Sequence, residues 1–174
     1  MDLEKIGKLK CVMKNQKFIS VSANDKNVSF ILNNVNVPFG LEKFFDKEII
    51  NIELLDNNND HNNIMSQLYS IDSKIKNKIF SSEINVRQML TGKDFISVIK
   101  QSKLGNILRT HPTSNCESYI QKKDGEKFLV SLCNVKNTTC DVKITLKGIW
   151  IKNDTYGLYW TMSNINIKSF NNGN

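Results

Sequence analysis

Tyr159 lies in the run KITLKGIWIKNDTYGLYWTM, residues 143–162, which holds both tryptophans and two of the four tyrosines. Before the turn, Val142, Ile144 and Leu146 alternate with Lys143, Thr145 and Lys147. Side chains on a strand alternate between faces, so the first three belong to a core and the others to solvent or a ligand. The same period puts Gly148 and Trp150 on the core side and Ile149 and Ile151 opposite. After the turn, Tyr156, Leu158, Trp160 and Met162 share one face, and Tyr159, Thr161 and Ser163 the other. Trp150 and Trp160 are therefore expected in the packing, and Tyr159 on the face that carries Lys143 and Lys147. An exposed ring among lysines can stack an unpaired base while the ammonium groups attract phosphates. Further candidates for this work are Lys100, Lys103 and Arg109, then Tyr119, then Lys122, Lys123 and Lys127 around Asp124-Gly125. The competing reading of these residues is a solvated basic face.

Catalytic patterns are missing. The chain has no G-x-S-x-G, P-loop or HExxH motif and no clustered aspartate pair. DNNNDHNN, residues 56–63, is rich in oxygen ligands but lacks the turn glycine and terminal glutamate of a calcium loop. Asp56, Asp60 and His61 could hold a metal only with ligands from elsewhere. His111 and Cys116 are five residues apart with nothing to orient them, so a structural thiol is expected. Neither a cofactor nor a metal is expected.

The net charge of +7 is uneven: residues 1–60 balance at −1 and residues 61–174 at +8. A basic region of this kind suits a polyanion, although it also suits solubility in a lysine-rich proteome. Only two of the 24 basic residues are arginine, so bidentate reading of guanine should play little part. The 24 asparagines fit AT-rich coding. Four cysteines without CxxC spacing suggest free thiols in a reducing, intracellular compartment. No signal core or long apolar run appears, and no membrane partner is expected.

The elements that must position these residues are legible in part. KFISVSANDKNVSFILNNVNV reads as a hairpin, with Ile19 and Val21 on one arm and Val28, Phe30 and Leu32 on the other. A short helical turn is expected after Pro38 and Gly40, then a strand with Ile50, Ile52 and Leu54 inward. Asp60 is a candidate N-cap for an amphipathic helix buried through Ile64, Leu68, Ile71, Ile75 and Ile79. Residues 81–105 are ambiguous, and strands dominate from Ile107. Asp124-Gly125 marks a tight hairpin. Asn164 and Asn166 fall where apolar residues are due and Ile165 and Ile167 take over, which predicts a β-bulge near Ser163. The fold class expected is α+β, mainly β: a curled antiparallel sheet or small barrel with one amphipathic helix.

The segment VKITLKGIWIKNDTYGLYWTMSNINI resembles the C-terminal hairpin of single-stranded DNA-binding proteins of large eukaryotic DNA viruses and related AT-rich linear elements. The features that match are Gly148-Ile149-Trp150, a polar turn, Tyr156-Gly157-Leu158 and an aromatic strand. NVNVPFGLEKFFDKEIINIEL is similar to an upstream segment of such proteins, and together the two cover about a third of the chain. The resemblance implies an oligonucleotide-binding (OB) fold of the phage type, one OB-like domain over residues 1–168 and a polar tail at 169–174. It implies non-enzymatic, largely sequence-independent single-stranded DNA binding in viral or plasmid replication and recombination. The site would sit in host cytoplasm, viral factory or nucleus, with replication proteins and further copies of the chain as additional partners. The acidic tail with which phage-type members recruit partners has no counterpart in SFNNGN. A small β-rich virion or assembly protein and an RNA-binding or transcription accessory module remain as alternatives.

Overall fold

The structure, a computed structural model, describes residues 9–171 apart from 16, 24, 25, 45, 81–83 and 104. Five strands come first: β1 (Leu9–Asn15), β2 (Phe18–Ala23), β3 (Val28–Val37), β4 (Leu41–Phe44) and β5 (Lys47–Leu54). Two helices follow, α1 (Asn59–Phe80) and α2 (Ile84–Leu90). Then come β6 (Asp94–Ile96), β7 (Ile99–Ser102), β8 (Gly105–Gln121), β9 (Lys127–Val130), β10 (Thr138–Lys152) and β11 (Thr155–Phe170). The protein is thus mainly β with one long helix, and the 11 strands among the described residues belong to a single hydrogen-bonded sheet.

Five of these strands form a closed circuit of pairings. β3 pairs with β5, β5 with β8, β8 with β11, β11 with β10, and β10 with β3 again. All are antiparallel except β8 with β11. The β3–β5 seam rests on one residue pair, Asn36 with Glu53, whose side chains are also bonded at 3.1 Å. Phe30, Leu32, Ile50, Ile52, Leu108, Ile144, Leu146, Trp160, Met162 and Ile165 are buried in one cluster. The α1 residues Leu68, Ile71, Ile75 and Ile79 join it, as their spacing predicts; Ile64 is only partly buried.

Several expectations are corrected. β2 and β3 do not pair as a hairpin. Both pair with the same edge of β10, β2 at Gly148–Trp150 and β3 at Thr138–Leu146, so they run end to end along it. Local alternation reports which face is buried but not which strand lies alongside. Residues Leu41–Phe44 form strand β4 against β5 in place of a helical turn. The helix cap is Asn58, not Asp60: its Oδ1 accepts from the backbone N–H of Asp60 (2.9 Å) and His61 (3.3 Å). His61 is buried and structural. Its Nδ1 accepts from Leu55 N–H at 2.9 Å, which leaves Nε2 to donate to the Asn34 carbonyl at 3.2 Å.

The β10–β11 hairpin carries the main correction. The bulge foreseen near Ser163 is present: Lys143 pairs with Asn164 and Ile144 with Met162, leaving Ser163 unpaired. A second bulge, at Lys147, was not foreseen: Leu146 pairs with Trp160 and Gly148 with Tyr159. The extra residue exchanges the faces of everything beyond it. Ile149 and Ile151 are therefore buried, and Trp150 is half-buried on the opposite side.

Candidate nucleic-acid interface

Leu108 and Thr110 of β8 point inward and are fully buried, so Arg109 and His111 point out. Register puts Arg109 beside Asn51 of β5, and His111 beside Thr161 of β11. Tyr159, two residues before Thr161, shares that outer face. Its ring stacks on the His111 imidazole, with centroids 4.6 Å apart and planes 22° apart. Phe18 of β2 meets Tyr159 edge-on at 5.9 Å, and the Lys47 ammonium is 5.2 Å from the Tyr159 ring centre. Next to this stack the Arg109 guanidinium lies 4.0 Å from the ring centre of Phe44, at the tip of β4. Two aromatic platforms, each with a cation, thus sit side by side.

The opposite wall is the β10–β11 turn and the strands tied to it. Trp150 pairs across with Gly157, where an added Cβ would lie 2.7 Å from the indole. Only glycine lets the indole rest on the strand backbone there. Asn153 turns the chain with φ of 51°. Its carbonyl accepts from the Lys93 ammonium, and Asp94 N–H donates to the Asp154 carbonyl at 2.8 Å. These bonds fix β6 to the turn. Ser97, between β6 and β7, donates to Asp72 of α1 at 3.0 Å, so the helix holds this wall from behind. The walls enclose a groove of about 1370 Å³. Lys17, Lys47, Lys93, Lys100, Arg109 and Lys152 line it, and Asp46 is the one carboxylate among its lining residues.

The cations are crowded. Lys100 is held below the usual lysine range by burial and then by the charge of Arg109. Burial lowers Arg109 as well, with Glu42 pulling the other way, and its Nε is buried without an acceptor. Burial also lowers His111, and the nearby Lys47 and Arg109 add to this. His111 Nδ1 lies 3.1 Å from the Glu48 carbonyl, which can only accept, so that nitrogen carries the proton of the neutral ring. Such a site gains from an anion that neutralises its cations, and it offers flat rings for stacking. Among the described residues no three of His, Cys, Asp and Glu are grouped to hold a metal, and no helix is long and apolar enough to cross a membrane. Cys116 is partly buried and its thiol is pushed up to about 11, which makes it a poor nucleophile at neutral pH.

The groove brings together Lys100, Arg109 and Tyr159 of the expected residues. Lys103 is exposed in the β7–β8 turn. Tyr119, Lys122, Lys123 and Lys127 form a separate group on the β8–β9 hairpin. Lys127 stands 4.4 Å from the Tyr119 ring centre, and Lys122 is paired with Glu126 at 3.3 Å. Lys143 and Lys147 are exposed on β10. The sequence reading missed Phe18, Phe44, Lys47, His111 and the groove-facing Trp150. Phe44 and Lys47 flank the β4–β5 turn, where the sequence suggests a helical turn for the residues before it and a strand for those after, and His111 draws notice in the sequence only beside Cys116.

No family model matches the chain, and no curated protein matches it. Among solved structures, the chain is similar to a single-stranded DNA-binding protein from bacteriophage Enc34 in a C-terminally truncated form. The TM-score is 0.49 at 9% identity, over 96% of this chain and 95% of that one.

Proposed function

We propose that the groove binds single-stranded DNA, largely without regard to sequence and without catalysis, in the replication or recombination of a viral or plasmid genome. The observation that carries this reading is the His111–Tyr159 stack with Lys47 beside it, next to the Arg109–Phe44 pair. Bases stack on rings whatever their identity, and lysines attract phosphates without reading sequence.

The strand circuit supports the same reading. Taken as an OB-like barrel, its strands in chain order are β3, β5, β8, β10 and β11. In that fold the second and third strands and the first–second and fourth–fifth loops form the ligand surface. Here those parts are β5, β8, the segment with β4, and the Asn153-Asp154 turn, and the groove lies among them. We take residues 1–168 as one such unit, and β11 carries its pairing with β10 on through Ser169 and Phe170.

A salt titration with labelled oligo-dT tests the proposal. Affinity should fall by decades from low to physiological salt if several phosphates are neutralised. Absence of binding, or a flat salt response, would count against it. Oligo-rU run in parallel measures any preference for DNA over RNA.

A further inference from the structure

The outer face of β8, β10 and β11 continues beyond the groove in rows set by strand register. One row is Thr145, Thr161 and His111; the next is Lys143, Asn164 and Glu117; the third is Asp141, Asn166 and Tyr119. The Ser163 bulge keeps the outer residues of β11 on one face, while on β8 residues 113–116 fall outside the register between the first two rows. Tyr159 and Thr161 face outward before it, and Asn164 and Asn166 after it, while Trp160, Met162, Ile165 and Ile167 stay buried. Tyr119 therefore lies on the same face as Tyr159, seven residues farther along β11. At about 3.3 Å per residue the two rings are separated by roughly 20 Å.

The far end repeats the chemistry of the near end. The Lys127 ammonium is 4.4 Å from the Tyr119 ring centre, and Leu129, paired with Tyr119, is 77% exposed. Lys143 stands exposed between the two ends. Thr113 Oγ1 and Asn166 Oδ1, along the way, are buried without a hydrogen-bond partner.

We propose that Tyr119 and Lys127 form a second stacking station, and that a single strand too long for the groove runs along β11, past Lys143, to reach it. This rests on the single-strand reading of the groove and adds its direction and length. A span of roughly 20 Å takes up to about six stacked nucleotides at ~3.4 Å each, and fewer if the bases are spread. The combined site stays within the ~4–16 nucleotides known for such folds.

The test compares oligo-dT of about five and about twenty nucleotides on wild type, Tyr119→Ala, Lys127→Gln and Tyr159→Ala. Tyr119→Ala and Lys127→Gln should weaken the long oligonucleotide about tenfold and leave the short one unchanged, whereas Tyr159→Ala should weaken both. Tyr119→Phe, which keeps the ring, should bind as wild type, and thermal unfolding confirms that each variant is folded. If wild type binds but Tyr119→Ala binds each length as tightly as wild type does, the strand leaves the groove elsewhere and the second station is wrong. Should Tyr119→Ala instead change the sedimentation of the free protein with no length-dependent loss, the hairpin is a contact between copies, and the proposal also falls. Wild type that binds neither length sinks the groove reading itself, a result distinct from the other two.

Discussion

Tyr159 and Trp160 are sequence neighbours with opposite jobs. Trp160 is wholly buried with its ring 5.7 Å from Phe30, whereas Tyr159 is half-buried against His111 at the groove. Tyr159→Ala is expected to weaken oligo-dT binding by about 1–3 kcal/mol with little change in unfolding temperature. Trp160→Ala should cost about 3–5 kcal/mol of stability, read from denaturant unfolding. Reversal of the two results would mean that the hairpin faces had been exchanged. Trp150 shows how easily that happens. Its place on the groove side depends on one extra residue, Lys147, with no signature in the alternation. The bulge at Ser163 was legible because isoleucines resume out of phase after it. The bulge at Lys147 was not, because both faces beyond it carry large apolar side chains. Gly157→Ala tests the fit beneath the indole: with backbone and ring both under 3 Å from the new methyl, Trp150 must shift. A change in tryptophan fluorescence should accompany weaker binding.

At the scale of elements, α1 does more than cover the sheet. Its apolar stripe was plain from spacing, since a helix repeats its buried face every three to four residues. The same helix buries Asp72, and this could not be read from spacing because the acceptor's partner, Ser97, comes from a segment 25 residues away. Burial raises the Asp72 carboxyl from 3.8 to about 6, against the opposing pull of Ser97, Lys76 and the Val98 backbone. The folded state thus holds this proton more tightly than the unfolded chain does. The stability it contributes is full below pH 3.8 and is lost as pH rises through about 6. Asp72→Asn should therefore gain on wild type between pH 4 and pH 8, by on the order of 3 kcal/mol. Thermal unfolding of both proteins at the two pH values checks this; a constant difference would show that the carboxylate is compensated in the fold. The long strands and the local hairpins β8–β9 and β10–β11 were legible from alternation and turn residues, but the pairings between distant strands were not, because pairing over a hundred residues leaves no local trace. The β2–β3 hairpin expectation failed for this reason.

For the whole molecule, charge and shape point the same way. The excess positive charge lies in residues 61–174, and the cations nearest the stacking rings include Lys100, Arg109 and, from the N-terminal part, Lys47. Duplex DNA presents phosphates but no free base faces, so it should bind more weakly than a single strand of the same sequence in a competition assay. Equal affinity would leave the rings without a role. The placement of β2 and β3 along one edge of β10 has a kinetic consequence. Both strands are made early, and the edge they need arrives more than a hundred residues later. Until then β2 is paired only with β1, on its other edge, and β3 has only its single pair with β5, so the circuit cannot close. Folding must therefore wait for the last third of the sequence, with a high contact order and a slow approach to the native state. In the interval the nascent chain carries open strand edges of the kind that promote aggregation.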